Sequence, residues 1–267
     1  MSDNNRQGVC EPVWVWGLPL APLTMPQALD RAEALVDARR PSFFITANLN
    51  YAMLTDADPR LRRLNERAAF LLADGMPLVW AARFGPRPLP ERVAGADLVL
   101  KLCERAAAKG HRIFLLGGPP GLAEQAAAEL LRRFPGLVIA GTECPPFGER
   151  TAEEDAALAA RVRGARPDLL FVAFGQPKGE LWIERHLEAL GVPVSVQIGG
   201  SFDFVTGRLR RAPRWMQRTG LEWVYRFLQE PRRLGSRYAR NLWFLFRMTL
   251  GALFLRRTRR RKPAIRP

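Results

Sequence analysis

The chain has 267 residues, 48% of them hydrophobic and 25% charged, enough for one large α/β domain or a domain with an appendage and too apolar for global disorder. Its three cysteines, Cys10, Cys103 and Cys144, lie far apart with no Cys-x-x-Cys pair, which argues against a disulfide framework or a zinc site and fits a reducing cytoplasm. The net charge of +15 is unevenly placed: residues 207–267 hold 18 basic residues against Glu222 and Glu230, while residues 1–206 sum to −1. That excludes a uniformly basic globule and points the tail at an anionic partner, whether phospholipid, nucleic acid or a phosphorylated ligand. A merely solubilising tail is the plainer alternative, set against the aromatic residues that alternate with the basic ones.

The first residues, MSDNNRQGVCEP, are polar and do not read as a secretory signal. Further on, short apolar runs alternate with helical segments. FFIT (43–46) reads as a strand, 50–65 as a helix interrupted near Pro59, and AFLLAD (69–74) as a strand ending at an acid. Residues 76–84 read as a short helix, and 96–109 as a helix stopped by Gly110. RIFLLGG (112–118) is a strand running into glycines, 122–134 an Ala-rich helix and LVIAG (137–141) a strand. A helix over 153–163, a strand over 168–175, a helix over 180–190 and a strand over 192–200 complete the series. Strands alternating with helices require crossover connections. Their continuous apolar runs imply burial on both faces. The predicted fold is α/β, a mainly parallel sheet with helices on both faces over residues 1–206, followed by a basic helical appendage over 207–267. In that appendage Pro213, Pro231 and Pro263 separate two or three helices. No run of about 18 uncharged apolar residues occurs, so no spanning helix is expected. The stretch 242–255, with Trp243, Phe246 and Arg247, suits a helix lying in a membrane interface or one packed on the body.

In open α/β sheets ligands bind beyond the carboxyl ends of the strands. The tips here are polar or glycine-rich: Thr46-Ala-Asn48-Leu-Asn50, Asp74-Gly75, Gly117-Gly118-Pro-Pro-Gly121, Gly175-Gln176-Pro177-Lys178-Gly179-Glu180 and Gly199-Gly200-Ser201-Phe202-Asp203. Gly117 and Gly118 before a helix let backbone N–H groups approach a phosphate, or form a tight turn. Neither Gly-x-Gly-x-x-Gly nor a P-loop string is present, which disfavours a dinucleotide oxidoreductase or a P-loop enzyme. Asp74 suits a general base or a cap for the helix after it. Lys178 suits a diphosphate contact or plain solvation. His111 and His186 stand apart, and there is no obvious Asp-x-Asp motif of the kind that holds a divalent ion, so neither a metal nor another cofactor is expected.

These strings, in order, resemble the WecG/TagA/CpsF family of bacterial glycosyltransferases. The matching pieces are Thr46-Ala-Asn48, Ala73-Asp74-Gly75-Met76-Pro77, Pro90-Glu91-Arg92-Val93-Ala94-Gly95-Ala96-Asp97, Phe174-Gly175-Gln176-Pro177-Lys178-Gly179-Glu180, Gly199 to Asp203, Arg211-Ala212-Pro213-Arg214-Trp215, Gly220-Leu221-Glu222-Trp223 and Glu230-Pro231-Arg232-Arg233. The resemblance covers roughly residues 12–240. It implies a Rossmann-like body and inverting transfer from a UDP-sugar to a polyprenyl (undecaprenyl) diphosphate-linked saccharide in cell-surface polysaccharide synthesis. The enzyme would work at the cytoplasmic face of the membrane, held peripherally on an anionic surface. The family's Asp-Gly acid falls on Asp74, as base, and its Thr-x-Asn threonine on Thr46. Asn48, Asn50, Arg92, Asp97, Gly117, Gly118, Gln176, Lys178, Glu180, Gly199 and Asp203 would line the substrate cleft. Arg211, Arg226, Arg233 and Arg237 would meet the lipid diphosphate. Two departures stand out: prolines in the 117–121 turn, and Gln176 where relatives commonly carry a small residue. A nucleic-acid-binding protein using the Arg-rich tail is the alternative, although no nucleic-acid partner is expected. Whether the chain forms a homo-oligomer is left open.

Overall fold

The structure is a computed structural model that describes residues 11–260 except 147 and 149. Cys10, the polar start and Pro263 lie outside the described residues. The chain divides into two compact units, 1–211 and 212–267.

The first unit opens with a hairpin, β1 (Val13–Val15) and β2 (Leu18–Leu20), and a helix α1 (Met25–Ala38). The residues of this stretch carried no sequence assignment above. Thr24 caps α1 in a reciprocal box with Gln27, and the helix buries Ala28, Leu29, Ala32 and Val36 along one stripe. Next come β3 (Phe43–Ala47), α2 (Leu49–Ala57), α3 (Pro59–Arg67), β4 (Leu71–Ala73), α4 (Met76–Ala82) and α5 (Gly95–Lys109). Pro59 starts α3, where its missing N–H costs no hydrogen bond, and Asp58 caps it. Gly110 ends α5 in the left-handed conformation. Then follow β5 (Arg112–Gly117), α6 (Leu122–Arg133), β6 (Val138–Glu143), α7 (Ala152–Gly164), β7 (Leu169–Ala173), α8 (Lys178–Leu190), β8 (Val194–Gln197) and α9 (Ser201–Val205).

The eight strands form one sheet in the order β1-β2-β4-β3-β8-β7-β5-β6, parallel apart from the β1–β2 pair at its edge. One face is covered by α1, α5, α6 and α9, which enclose Leu98, Leu102, Leu122, Leu130 and Phe202 with Ile113, Leu115 and Phe171 of the sheet. The helices α2, α3, α7 and α8 pack with one another away from that cluster. The strand runs FFITA and LLFVA are buried almost throughout, as two covered faces require. At the amino ends of the strands Asp168 is buried, accepts from Arg112 N at 2.8 Å and pairs with Arg39, so it is a structural acid.

The second unit holds α10 (Arg214–Arg218), α11 (Glu222–Gln229) and α12 (Pro231–Arg260). Trp223 of α11 meets Tyr238 of α12 edge-on at 5.8 Å, and Phe227 lies 6.0 Å from the same ring. Among the described residues no helix is long and apolar enough to cross a membrane.

Candidate active site

After β3 the chain leaves for α2, and after β4 it leaves for α4 and α5, so two adjacent strands send their connections to opposite sides of the sheet. Such a reversal opens a crevice at the strand tips. Thr46 and Asp74 stand at that crevice. Asp74 N donates to Ala47 O at 2.7 Å, which locks the two tips together.

Asp74 does not cap the helix that follows it; Gly75 occupies that position without a side-chain cap. Its Oδ1 accepts instead from Gly95 N at 2.9 Å, at the first turn of α5. The N-terminal peptide dipoles of α5 thus face a carboxylate. A β-carbon added to Gly95 would lie 3.2 Å from Asp74 Oδ2 and 3.4 Å from Thr46 Oγ1. The acid and the hydroxyl thus converge on this glycine, where a larger residue would fit only if they gave way by a few tenths of an ångström. Thr46 is buried, and its hydroxyl donates to Gln197 O at 3.4 Å.

Gln176 joins this group from the next loop: its Nε2 donates to Thr46 O at 3.3 Å. Gln197, which the sequence reading did not single out, ties the loop down, its amide donating to Val172 O at 2.7 Å and accepting from Gly175 N at 2.9 Å. A β-carbon on Gly179 would sit 2.5 Å from Gln197 Cδ, so the Gly179 of the sequence string is a packing requirement. Glu180 is 2% exposed. Burial pushes its carboxyl up to about 8, with its own backbone N–H and the Gln176 side chain pulling the other way.

Other sequence candidates have visible structural work. Asn48 caps α2, accepting from Tyr51 N at 3.1 Å, and Asn50 is buried one turn into the same helix. Gly117 approaches β7 so closely that a β-carbon would meet Ala173 C at 3.0 Å, and Gly118 is similarly crowded by Leu122. Gly199 adopts φ +58. Lys178 is exposed at the start of α8, Arg92 is half-buried, and Asp203 lies 4.0 Å from Arg208. Asp97, one turn into α5, is paired with Arg211 at 2.9 and 3.3 Å. That pair lies within the first unit. The string Asp56-Ala57-Asp58 falls at the α2–α3 junction, where Asp58 pairs with Arg60. Among the described residues no group of three or more acids, histidines or cysteines is placed to hold a metal ion.

In the second unit Arg226 and Arg233 flank Glu230, which lies 2.7 Å from Arg233 and 4.0 Å from Arg226, and Arg237 lies within the field of both arginines. Burial, then the neighbouring Arg226, lowers the Arg237 pKa, Tyr238 acts against this, and Arg233 and Arg240 lower it further. Arg237 Nε is buried without a hydrogen-bond partner. Crowded, partly dehydrated cations with an unmet donor are suited to a multivalent anion.

The family model described as "Glycosyl transferase WecG/TagA/CpsF family" matches residues 13–261. The N-acetylglucosaminyldiphosphoundecaprenol N-acetyl-beta-D-mannosaminyltransferase of Bacillus spizizenii is 32% identical over 198 residues, covering 74% of this chain and 75% of that protein. The family match spans the strand tips that carry Thr46, Asp74 and Gln176. The chain belongs to the WecG/TagA/CpsF family of glycosyltransferases.

Proposed function

We propose that this glycosyltransferase moves a sugar from a UDP-sugar to the sugar of a polyprenyl diphosphate-linked saccharide, by a single displacement with inversion. The observation that carries the reading is the convergence of Asp74 and Thr46 on Gly95 at the strand tips. Asp74, held through Oδ1, removes the proton of the acceptor hydroxyl as its oxygen attacks the anomeric carbon. Thr46 orients the reacting groups beside it. The UDP leaving group departs toward the 117–121 turn and Lys178, where backbone dipoles and a cation offset its charge. The relative's name supports an amino-sugar donor and an N-acetylglucosamine-bearing acceptor.

In the same reading Arg226, Arg233 and Arg237 hold the lipid diphosphate, and the aromatic face of α12 rests on the inner leaflet of the cytoplasmic membrane. Each basic residue near an anionic surface contributes about 1 kcal/mol. The test is UDP release from a panel of UDP-sugars, with and without a short-chain polyprenyl diphosphate-linked sugar, in EDTA. Acceptor-dependent release with one donor is expected. Release that requires added divalent ion, or that ignores the acceptor, would overturn the scheme.

A further inference from the structure

Arg60, Arg132 and Arg161 each turn Nε and Nη2 together onto a nearby carboxylate, and Arg211 turns Nη1 and Nη2 onto Asp97. An arginine engaged in that way has spent its fork on the protein. Arg150 is turned otherwise. It stands on the loop from β6 to α7, at the carboxyl edge of the sheet, with its side chain 19% exposed. Its Nε donates to Asp155 Oδ1 at 2.6 Å, and among the described residues Nη1 and Nη2 have no acceptor. The guanidinium lies over the Phe174 ring, 4.7 Å from its centroid. Phe174 is the first residue past β7, whose end, Ala173, pairs in register with Gly117. The ring comes so close to Gly117 that a β-carbon there would meet it at 2.9 Å. One aromatic ring therefore separates Arg150 from the Gly117–Gly118 turn. Trp182 meets the same ring edge-on at 5.3 Å and donates Nε1 to Asp155 Oδ1 at 2.9 Å. Stack and anchor thus fix the guanidinium before any ligand arrives. Glu124, in the first turn of α6, is engaged by Thr142 and Cys144.

The geometry points to Arg150 as the cation that holds the donor diphosphate: Nη1 and Nη2 donate to phosphate oxygens beside the Gly117–Gly118 turn, while Asp155 and Phe174 keep the guanidinium in place. The inference rests on the UDP-sugar reading of the strand tips and adds a residue to it. In the transfer step the acceptor oxygen bonds to the anomeric carbon and its proton passes to Asp74. The bond from that carbon to the donor phosphate oxygen breaks, and its electron pair leaves with UDP. The leaving group thereby gains a negative charge, which a guanidinium already fixed beside it stabilises without rearrangement. Arginine suits the place because it stays protonated at any working pH and meets phosphate with two parallel donors. Its stack on Phe174 removes water from one face and strengthens the attraction. Lys178, exposed at the start of α8, brings by comparison a point charge on a flexible stem.

Ligand-observed NMR titrations of the full chain test this, with UDP, uridine and inorganic pyrophosphate as the probes and Tm recorded alongside. Arg150→Gln should weaken UDP and pyrophosphate about tenfold to a hundredfold, the span of one charge-assisted hydrogen bond, and leave uridine unchanged. Arg150→Lys keeps the charge without the fork or the Nε anchor, and should fall between the two. Uridine binding lost in step with UDP would show that the substitution only disturbs the fold around Phe174. Unchanged UDP binding would show that Arg150 serves Asp155 alone. Either result overturns the proposal, and so does a wild type that binds neither UDP nor pyrophosphate. A wild type that binds UDP through Arg150 yet releases none from any UDP-sugar overturns the transfer reading instead and leaves the diphosphate contact standing.

Discussion

In the first unit the large apolar side chains are spent on the sheet: Phe43, Phe44, Ile45, Leu71, Leu72 and Phe171 are each at most 1% exposed. In the second unit Trp215, Leu228, Trp243 and Phe246 are each more than half exposed. Along α12, at about 100° per residue, Trp243, Phe246 and Leu250 form one stripe, and the buried Leu234, Asn241 and Phe244 form the stripe opposite. An apolar face left in water costs free energy unless something covers it. The body's apolar residues thus serve stability. Those of the appendage, set among 18 basic residues in 207–267, are what the proposed association with an anionic, partly apolar surface would use. Charge follows the same division, since the body pairs Asp168, Glu184 and Asp155 with basic partners while the appendage crowds arginines around one glutamate.

The division can be broken by substitutions on either side of it. The largest effect is expected at Asp74→Asn, which should lower turnover about 10²–10⁴-fold with donor affinity nearly unchanged, as for loss of a general base; steady-state kinetics and donor titration check it. Gly179→Ala drives a β-carbon into Gln197 and should destabilise the body by about 1–3 kcal/mol, read as a lowered Tm. The paired change Trp243→Ser with Phe246→Ser should leave Tm and transfer to a short-chain soluble acceptor unchanged while weakening flotation with anionic vesicles about tenfold or more, given about 1.5–3 kcal/mol for each buried large apolar side chain. If this variant instead lowers Tm like Gly179→Ala, the stripe belongs to the fold and the comparison fails. The smallest effect belongs to Asp97→Asn. Its pair with Arg211 is partly exposed, so the stability change should stay within about 1 kcal/mol by denaturant titration.

A pH series sharpens the contrast further. The folded-state Glu180 carboxyl is raised from 4.5 to about 8. Between those values the unfolded chain has released a proton that the folded chain keeps, so stability falls as pH rises across the window and levels off above about 8. Asp155 runs the other way. Burial opposes its charge, but the hydrogen bonds from Arg150 and Trp182 outweigh it and lower its pKa; that stability is present above the ordinary carboxylate range and is lost as pH falls through the folded value. Glu180→Gln should flatten the alkaline decline and leave the acid one in place.

Much of the body was legible because its strands are unbroken apolar runs and its helices end at Gly110 and Gly191, signals that act over a few residues. The β1–β2 hairpin was not legible. Its strands are three residues each, one contains Pro19, and an edge strand lacks the doubly buried pattern. The start of α1 carried a readable signal, Thr24 with Gln27 and Pro26, that went unused. At the site, Thr46, Asp74 and Gln176 were marked by their places at strand tips. Gln197 and the inward turn of Glu180 were not, because they depend on which loops the sheet order brings side by side, across separations such as the 130 residues between Thr46 and Gln176. The second role given to Asp74, a cap on α4, was legible but misplaced: its partner is Gly95, 21 residues further on.

The arginine cluster has one more consequence. Arg226, Arg233 and Arg237 repel one another, and Arg237 keeps a buried Nε with nothing to donate to. If the lipid diphosphate is the anion that settles there, it serves as counter-ion as well as substrate, and the folding of the appendage becomes linked to its occupancy. A ligand at 100 times its Kd adds about 2.7 kcal/mol to the state that binds it. The second unit would then be loosest in dilute buffer and firmest where polyprenyl diphosphate carriers are loaded, so that the supply of acceptor itself sets how much of the enzyme is assembled for work.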